Sequence, residues 1–393
     1  MFLWWIALHT AEAPIDSGSE RRHIWPMTTT DDETPIRISG PVGLLATVPM
    51  MLGFHPTNSL VMMCVSGRRR KVGPVARVDL PPGHDRAMAA HLARHALQHA
   101  DEVVLISYQS FRRRPPLLDD VLREMGKVGV EVMDALVVRG GRARPALNPA
   151  MERAHPGYPL PGADDPQVRA LTAAGALAGR TVLADREELR RSIAGPKGSR
   201  LRRAEREITE AACGRLPPFE TSPGLTAADH ILLGEMPSEV EDLISQAFGQ
   251  VSAGDGVRVE VAAALAVLLT DRLVRDAVLG RAVVEVDLPW LPMLISCATW
   301  TPDPLAPPLC SVLAMVAYRH GDGALAQIAV DRCLLAEPEH PLAHLMIAIM
   351  AAGVHPEELE RITEEGLSWS LQSMLSTDAP LWPGSAGDRD QPR

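Results

Sequence analysis

Aromatic residues are scarce: the 393-residue chain has seven Trp, three Tyr and five Phe. Its cores must therefore be filled by Leu, Val, Ala and Met. Lysine is scarcer still, at Lys71, Lys127 and Lys197, while Arg, Ala, Gly and Pro abound. That bias points to a GC-rich genome and carries no mechanism. Positive charge is in deficit, with a net charge of −10 and a pI of about 5.7. Nucleic acid is not an expected partner, because phosphate contacts need a basic footprint. Five cysteines (Cys64, Cys213, Cys297, Cys310 and Cys333) form no C-x-x-C pair. Most sit among apolar residues, which predicts buried, reduced thiols in a cytoplasmic protein. No apolar run reaches the roughly 18 residues a spanning helix needs, so no membrane association is expected. The patterns G-x-x-x-x-G-K-[ST], G-x-G-x-x-G, G-x-S-x-G and H-E-x-x-H do not occur. No cofactor, no metal and no catalytic residue is assigned from the sequence.

What is present is organised in two parts. Residues 1–35 include "FLWWIAL", which has no basic segment before it, and an Ala-x-Ala-like "AEA" followed by Pro14. This stretch is expected to be a disordered or mis-assigned extension, with Met27 as an alternative start. Residues 36–144 alternate between strand and helix patterns. "GPVGLLATVPMML" reads as a helix stopped at Gly53, with Pro56 beyond it. "SLVMMCV" and "VGPVARVDL" read as a strand pair joined by the polar turn "SGRRRK". "EVVLISY" and "VEVMDALVV" read as further strands, each preceded by a helix. This predicts an α/β domain with a mixed, mostly parallel sheet and one antiparallel hairpin strand. Residues 145–167 are polar and Pro-rich, a loop or linker. Residues 168–376 show helical spacing broken by Pro/Gly clusters such as "LPPFETSPGLT", so an all-helical domain is expected, followed by a disordered tail at 377–393.

Within the helical part, residues 309–353 carry Tyr318, Gly321, Asp322, Ala326, Cys333 and Pro338 at the spacing of a tetratricopeptide-like hairpin. One hairpin is too little for an extended peptide-binding array. It packs within the domain, with a protein partner as the alternative role. His91, His95 and His99 share one helix face, but Ala89, Leu92, Ala93 and Ala96 form the apolar stripe. The histidines are therefore expected on the solvated side rather than on a metal. The basic clusters at 68–71, 112–114 and 190–206 lie in turns or on charge-balanced helix faces without aromatic interleaving.

The ordered set "RISGPVGLLATVPMMLGFHPTNSLVMM", "VARVDLP", "LAGRTVLADREELRRSIAG", "VAAALAVLLTDRLVRDAVL" and "HGDGALAQIAVDRCLLAEPEHPLAHLM" resembles an actinobacterial family, domain of unknown function 4192. "LGFHP-x-x-S-L" is its most distinctive part. The resemblance brings no assigned activity. It also implies a Trp- and Cys-bearing loop after the last strand of the first domain. Here that place reads "GGRARPALNPAMERAHPGYP", with neither residue.

Topology points to a place for a site. If "SLVMMCV" and "VGPVARVDL" pair antiparallel, the start of the first lies beside the end of the second. Right-handed crossovers then bring the ends of the next strands to the same edge. His55, Asn58, Ser59, Asp79, Ser107, Tyr108 and Arg139 would meet there, at the carboxyl edge where open α/β sheets hold ligands. Asp79 would act as acceptor or base and His55 as donor. The alternative is that "GFHP" is a helix stop and nothing more. The leading functional expectation is a binding or accessory protein, through a protein partner or a small-molecule ligand. An enzyme or small-ligand receptor with a pocket at this edge comes second, and a nucleic-acid-associated regulator third.

Overall fold

The computed structural model describes residues 2–6, 24–27, 36–67, 71–111, 113–177, 182–213, 236 and 238–361. Two compact units emerge. One comprises residues 1–192 with 321–325 and 347–354; the other comprises 193–320, 326–346 and 355–393.

The first unit opens with β1 (Phe2–Ile6), β2 (Ile24–Met27) and β3 (Ile36–Ser39). Two segments of the stretch expected to be disordered are thus strands, in keeping with the β-prone aromatic and branched residues of "FLWWI" and "IW". Helix α1 (Gly40–Leu52) follows and stops where Gly53 turns left-handed at φ +73°. Then come β4 (Ser59–Ser66), β5 (Lys71–Asp79), α2 (Arg86–His99), β6 (Glu102–Tyr108), α3 (Pro116–Val128) and β7 (Glu131–Arg139). The Asp85 carboxylate caps α2 by accepting from the Met88 amide at 2.9 Å. Past β7 lie β8 (Arg142–Pro145), α4 (Pro149–Ala154), β9 (Tyr158–Pro159), α5 (Pro166–Leu177) and α6 (Arg186–Ser192). The segment expected as a loop therefore holds α4, capped by Asn148 onto the Met151 amide at 2.9 Å, and β9.

The main sheet has the order β1-β5-β4-β6-β7-β8-β9. Its pairing corrects the expectation of a mostly parallel sheet. β4 is antiparallel to both β5 and β6, and β6–β7 is the parallel pair. The reason is topological. The crossover through α2 carries the chain over β4, so β5 and β6 run in the same direction without touching. The paired glycines Gly140 and Gly141, at φ +58° and +72°, then turn the chain back into β8, antiparallel to β7. β5, β6 and β7 still end at one edge, where β4 begins.

Residues of alternating parity divide the sheet's two faces. Leu60, Met62, Cys64, Val103, Leu105, Ala135 and Val137 form one core with Leu92, Ala96, Leu117, Leu118, Val121 and Met125 of α2 and α3. The opposite face carries the buried Val61, Met63, Val104, Ile106 and Val138, and α1, which packs on α5, lines a cavity together with Tyr108 and Val138 of that face. Although helical spacing starts the all-α region at 168, α5 and α6 group with the α/β unit.

Among its described residues the second unit is helical. It contains α7 (Ser199–Cys213), α8 (Ser238–Ser252), α9 (Val259–Leu268), α10 (Arg272–Val284), α11 (Trp290–Ala298) and α12 (Ala306–Arg319). Most of α13 (Gly323–Ala336) and the first half of α14 (Pro341–Ala352) also belong to it. The fully buried Trp290 meets Phe248 edge-on at 4.9 Å. Arg332 acts as a polar rivet. Its guanidinium donates to the carbonyls of Ile193 (2.5 Å), Ala298 (2.9 Å) and Thr301 (2.5 Å) and pairs with Asp303 at 3.1 Å. A Cβ at Gly195 would sit 2.8 Å from Arg332 Nη2, which explains the glycine there. The Cys333 thiol donates to the Pro307 carbonyl at 3.4 Å, linking α13 to the start of α12. The sequence breaks at 216–226 and the tail at 377–393 lie outside the described residues.

Candidate functional site

The stretch "GFHPTNS" does more than stop α1. Phe54 forms a parallel bridge with Leu183: the His55 amide donates to the Leu183 carbonyl at 3.2 Å, and the Leu183 amide donates to the Gly53 carbonyl at 2.8 Å. Phe54 is buried and His55 is exposed. Asn58 stands at φ +43°, the one non-glycine residue with positive φ among the described residues. Asparagine tolerates this region because its short side chain bonds locally. Its carbonyl accepts from Leu80 at 2.9 Å, and its Oδ1 accepts from the Ser110 amide at 3.1 Å and the Ser110 hydroxyl at 2.9 Å. One residue thus ties together the entry to β4, the exit from β5 and the exit from β6.

Beside this knot lies a cavity of about 660 Å³. Leu45, Ala46, Pro49 and Met50 of α1 form one wall; Val168 and Thr172 of α5, with Val182, form another. Tyr108 and Val138 at the ends of β6 and β7 contribute from the sheet, and residues 160–163 complete the lining. Pro49 has no N–H for the Leu45 carbonyl, so the helix ladder is interrupted at the cavity wall. Polar lining comes from His55, Thr57, Asn58, Gln109, Ser110 and Arg139.

Arg139 is braced. The Gln109 amide is satisfied when its nitrogen donates to the Arg113 carbonyl (3.2 Å) and its oxygen accepts from Arg139 (3.3 Å). Glu152, buried to 7% exposure, lies 3.9 Å from Arg139 but 3.0 Å from Arg114. Arg114 also binds Asp119 at 2.7 Å and the Ala146 carbonyl at 2.7 Å, so α3 and α4 hold this network in place.

Of the residues assigned from sequence, His55, Asn58, Tyr108 and Arg139 line the cavity together. Ser59 opens β4 in register with both Asp79 and Tyr108, and its buried hydroxyl has no partner among the described residues. The Tyr108 phenol oxygen is likewise buried and unpartnered, and burial pushes its pKa up. Ser107 has the parity of Val103 and Leu105, so it faces the α2/α3 core and not the cavity. Asp79 is in register at this edge but absent from the lining. It is 74% exposed and paired with Arg77 at 2.5 Å. Burial holds the Arg77 guanidinium below its usual basicity, partly offset by Asp79, and Arg77 lies 5.9 Å from the Phe54 ring centroid. The roles of base for Asp79 and donor for His55 therefore have no common geometry here.

Sequence reading missed the far wall, residues 160–163 with Val168, Thr172 and Val182, because a Pro-rich segment and a helix assigned to another domain supply most of it. It also missed His84, whose Nδ1 is 2.9 Å from Asp120 on α3. Burial raises the Asp120 pKa, but hydrogen bonds from Arg123 and His84 outweigh it and hold the carboxyl below its usual range. Of the helical histidines, His91 is exposed as expected and His99 half-buried, while His95 departs from expectation. His95 is 3% exposed rather than solvated, with both ring nitrogens unpartnered among the described residues and the His99 ring 4.5 Å away. Residues 347–354 cover that side: a Cβ on Gly353 would lie 2.9 Å from His95 Cε1. Burial first, then the neighbouring His99, lowers the His95 pKa to about 4. Among the described residues no three His, Cys, Asp or Glu converge as a metal set. The thiols of Cys64, Cys297 and Cys333 are pushed up to about 12, and that of Cys310 to about 11, with burial the main cause. They are protonated, inert core residues at neutral pH.

Fold and cavity together define a mixed α/β unit, with a ligand-sized cavity at the carboxyl edge of its sheet, carried on the same chain as a helical unit. The chain belongs to the family described as Domain of unknown function (DUF4192), whose model matches residues 41–357. No curated protein and no solved structure matches it. No helix among the described residues is long and apolar enough to cross a membrane.

Proposed function

We propose that this protein is a ligand-binding accessory protein whose α/β unit takes up a small molecule in the cavity beside Asn58. The observation that carries the reading is the cavity itself. Its volume of about 660 Å³ falls within the roughly 300–1,000 Å³ range of small-molecule sites. Its lining is mostly apolar with a few polar groups, and it sits where α/β sheets hold ligands. The knot at Asn58 and the bridge at Leu183 support a preformed site, because both fix backbone around the opening. His55, Asn58, Tyr108 and Arg139 are the proposed contact residues, with Ser59, Ser107 and Asp79 outside the contact set.

The helical unit is proposed to contain a tetratricopeptide-like hairpin in α12 and α13, supported by the turn at Gly321 (φ +74°) and by buried Ala326 and Cys333. A protein partner acting through this unit would make the first unit a sensor. A cytoplasmic location is supported by four buried free thiols, and an actinobacterial host by the Arg-rich, Lys-poor composition. Native mass spectrometry of the purified protein tests the ligand reading. A bound small molecule present in the wild type and lost in Thr172→Trp, which places an indole on the cavity wall, is the expected result. Identical bare masses for both, together with no binding of any added small molecule, would overturn it.

A further inference from the structure

The charges around the cavity are matched to one another within the protein. Among the described residues no Asp or Glu lines it, and the arginine that does, Arg139, is engaged: Glu152 lies 3.9 Å away and the Gln109 side-chain oxygen accepts from it at 3.3 Å. Glu152 is held in turn by Arg114 at 3.0 Å. His55 is exposed, where solvent screens a charge. The uncharged polar lining is arranged differently. The Ser110 backbone N–H can only donate, so its 3.1 Å bond to Asn58 fixes which end of that side-chain amide is the oxygen. The Ser110 hydroxyl donates to the same oxygen at 2.9 Å. This leaves the Asn58 Nδ2 hydrogens as donors and the Ser110 Oγ lone pairs as acceptors, neither with a partner among the described residues.

Resting on the ligand-binding reading above, we propose that the cavity selects an uncharged apolar molecule that carries a hydroxyl group. Its hydrocarbon body lies against Leu45, Ala46, Met50 and Val138, and its hydroxyl sits at the Asn58–Ser110 pair. The body follows from the apolar walls. The lack of charge follows from the ion pairing: an anion would have to compete with Glu152 for Arg139, and a cation would find no acid on the lining. Either would give up its hydration without a new counter-charge, which is costly. The hydroxyl follows from the free donor and acceptor. They belong to side chains already bonded to each other, so one small group that accepts from Asn58 and donates to Ser110 serves both. A hydroxyl does this with a single oxygen, whereas an ether or ketone only accepts and leaves the Ser110 lone pairs unused.

The test uses four probes of one size, titrated calorimetrically into the full-length protein at pH 8: octan-1-ol, its isomer heptyl methyl ether, octanoate and octylamine. The alcohol is expected to bind about tenfold or more tighter than the acid and the amine, because a charge left without a partner is costly to desolvate. It should also bind about threefold or more tighter than the ether, in line with one extra hydrogen bond. That second preference runs against hydrophobicity, so partition into a greasy cavity does not produce it. In Ser110→Ala the alcohol's advantage over the ether should shrink to about twofold or less, with ether binding by the same variant reporting that the cavity is intact. Thr172→Trp should weaken the alcohol and the ether alike. Octanoate or octylamine binding as tightly as octanol would overturn the uncharged class and leave ligand binding standing. An ether that equals the alcohol in the wild type, or an alcohol preference that persists in Ser110→Ala, would overturn the hydroxyl assignment in the same way. If no probe binds and no ligand co-purifies, the cavity reading itself falls.

Discussion

The two faces of the main sheet are built from the same strands and reach opposite outcomes. On one, α2 and α3 lay continuous stripes of Ala, Leu, Val and Met against Leu60, Leu105 and Val137, leaving a closed core. On the other, α1 carries an internal proline, its neighbour α5 comes from far along the chain, and a 660 Å³ cavity remains at the carboxyl edge. Strand residues are apolar on both faces. The difference arises from the covering elements: uninterrupted amphipathic helices close a face, while a proline-bearing helix and a Pro/Gly-rich segment leave it open.

Mutation of the closed face should cost most. Leu118→Ala, at a fully buried position, is expected to lose about 2–5 kcal/mol in urea unfolding. Met50→Ala on the cavity wall is expected to lose about 1 kcal/mol, because its side chain is already only half-buried. Equal losses would show the two faces to be packed alike.

Acid should strain the closed side next. The folded-state pKa of His95 lies at about 4 against 6.5 unperturbed. The stability tied to its neutral form is therefore fully present above about pH 6.5 and is lost as pH falls toward 4, by up to about 3 kcal/mol. His95→Leu should flatten the stability–pH profile across that window; an unchanged slope would assign the acid sensitivity elsewhere.

Smaller effects are expected at the cavity edge. Asn58→Ala loses the two bonds to Ser110 and strains a left-handed backbone, for about 2 kcal/mol, whereas Asn58→Gly loses the bonds alone and should be about 1 kcal/mol milder. If alanine is no worse than glycine, backbone strain at φ +43° is not the reason for asparagine. The smallest change is Asp79→Asn. Its pair with Arg77 is 74% exposed on the acid side, so about 0.5 kcal/mol or less is expected, with no change in ligand affinity.

Much of the α/β architecture was legible because period-2 and period-3.6 patterns are local. "SLVMMCV" and "EVVLISY" are apolar without alternation, as strands covered on both faces are. The left-handed Gly53 was readable from a glycine followed by Pro56. Strand pairing was less so: nothing in the sequence of β5 says that α2 will carry the chain past β4 before β6 pairs. The site was legible in part. Direction along strands brings His55, Asn58, Tyr108 and Arg139 to one edge, but strand parity decides which side of the sheet each serves, and it turns Ser107 into the core. Asp79 shares the edge, yet Arg77 two residues before it holds its carboxylate outside. His95 was misjudged because an apolar stripe shows which face meets the sheet, not what another segment lays over the remainder.

The bridge between Phe54 and Leu183 gives the site a place in time as well as in space. About 130 residues separate its two sides, so a nascent chain can complete the β5–β4–β6–β7 framework well before Leu183 leaves the ribosome. Until then the cavity has a single wall. An N-terminal fragment ending near residue 144 would keep these four strands and yet lack α5, Val182 and the clasp on Gly53, and so would have no enclosed site. Ligand would reach only chains made past that point. Acting through mass action on the finished unit, it would be a late check on assembly rather than a template for it.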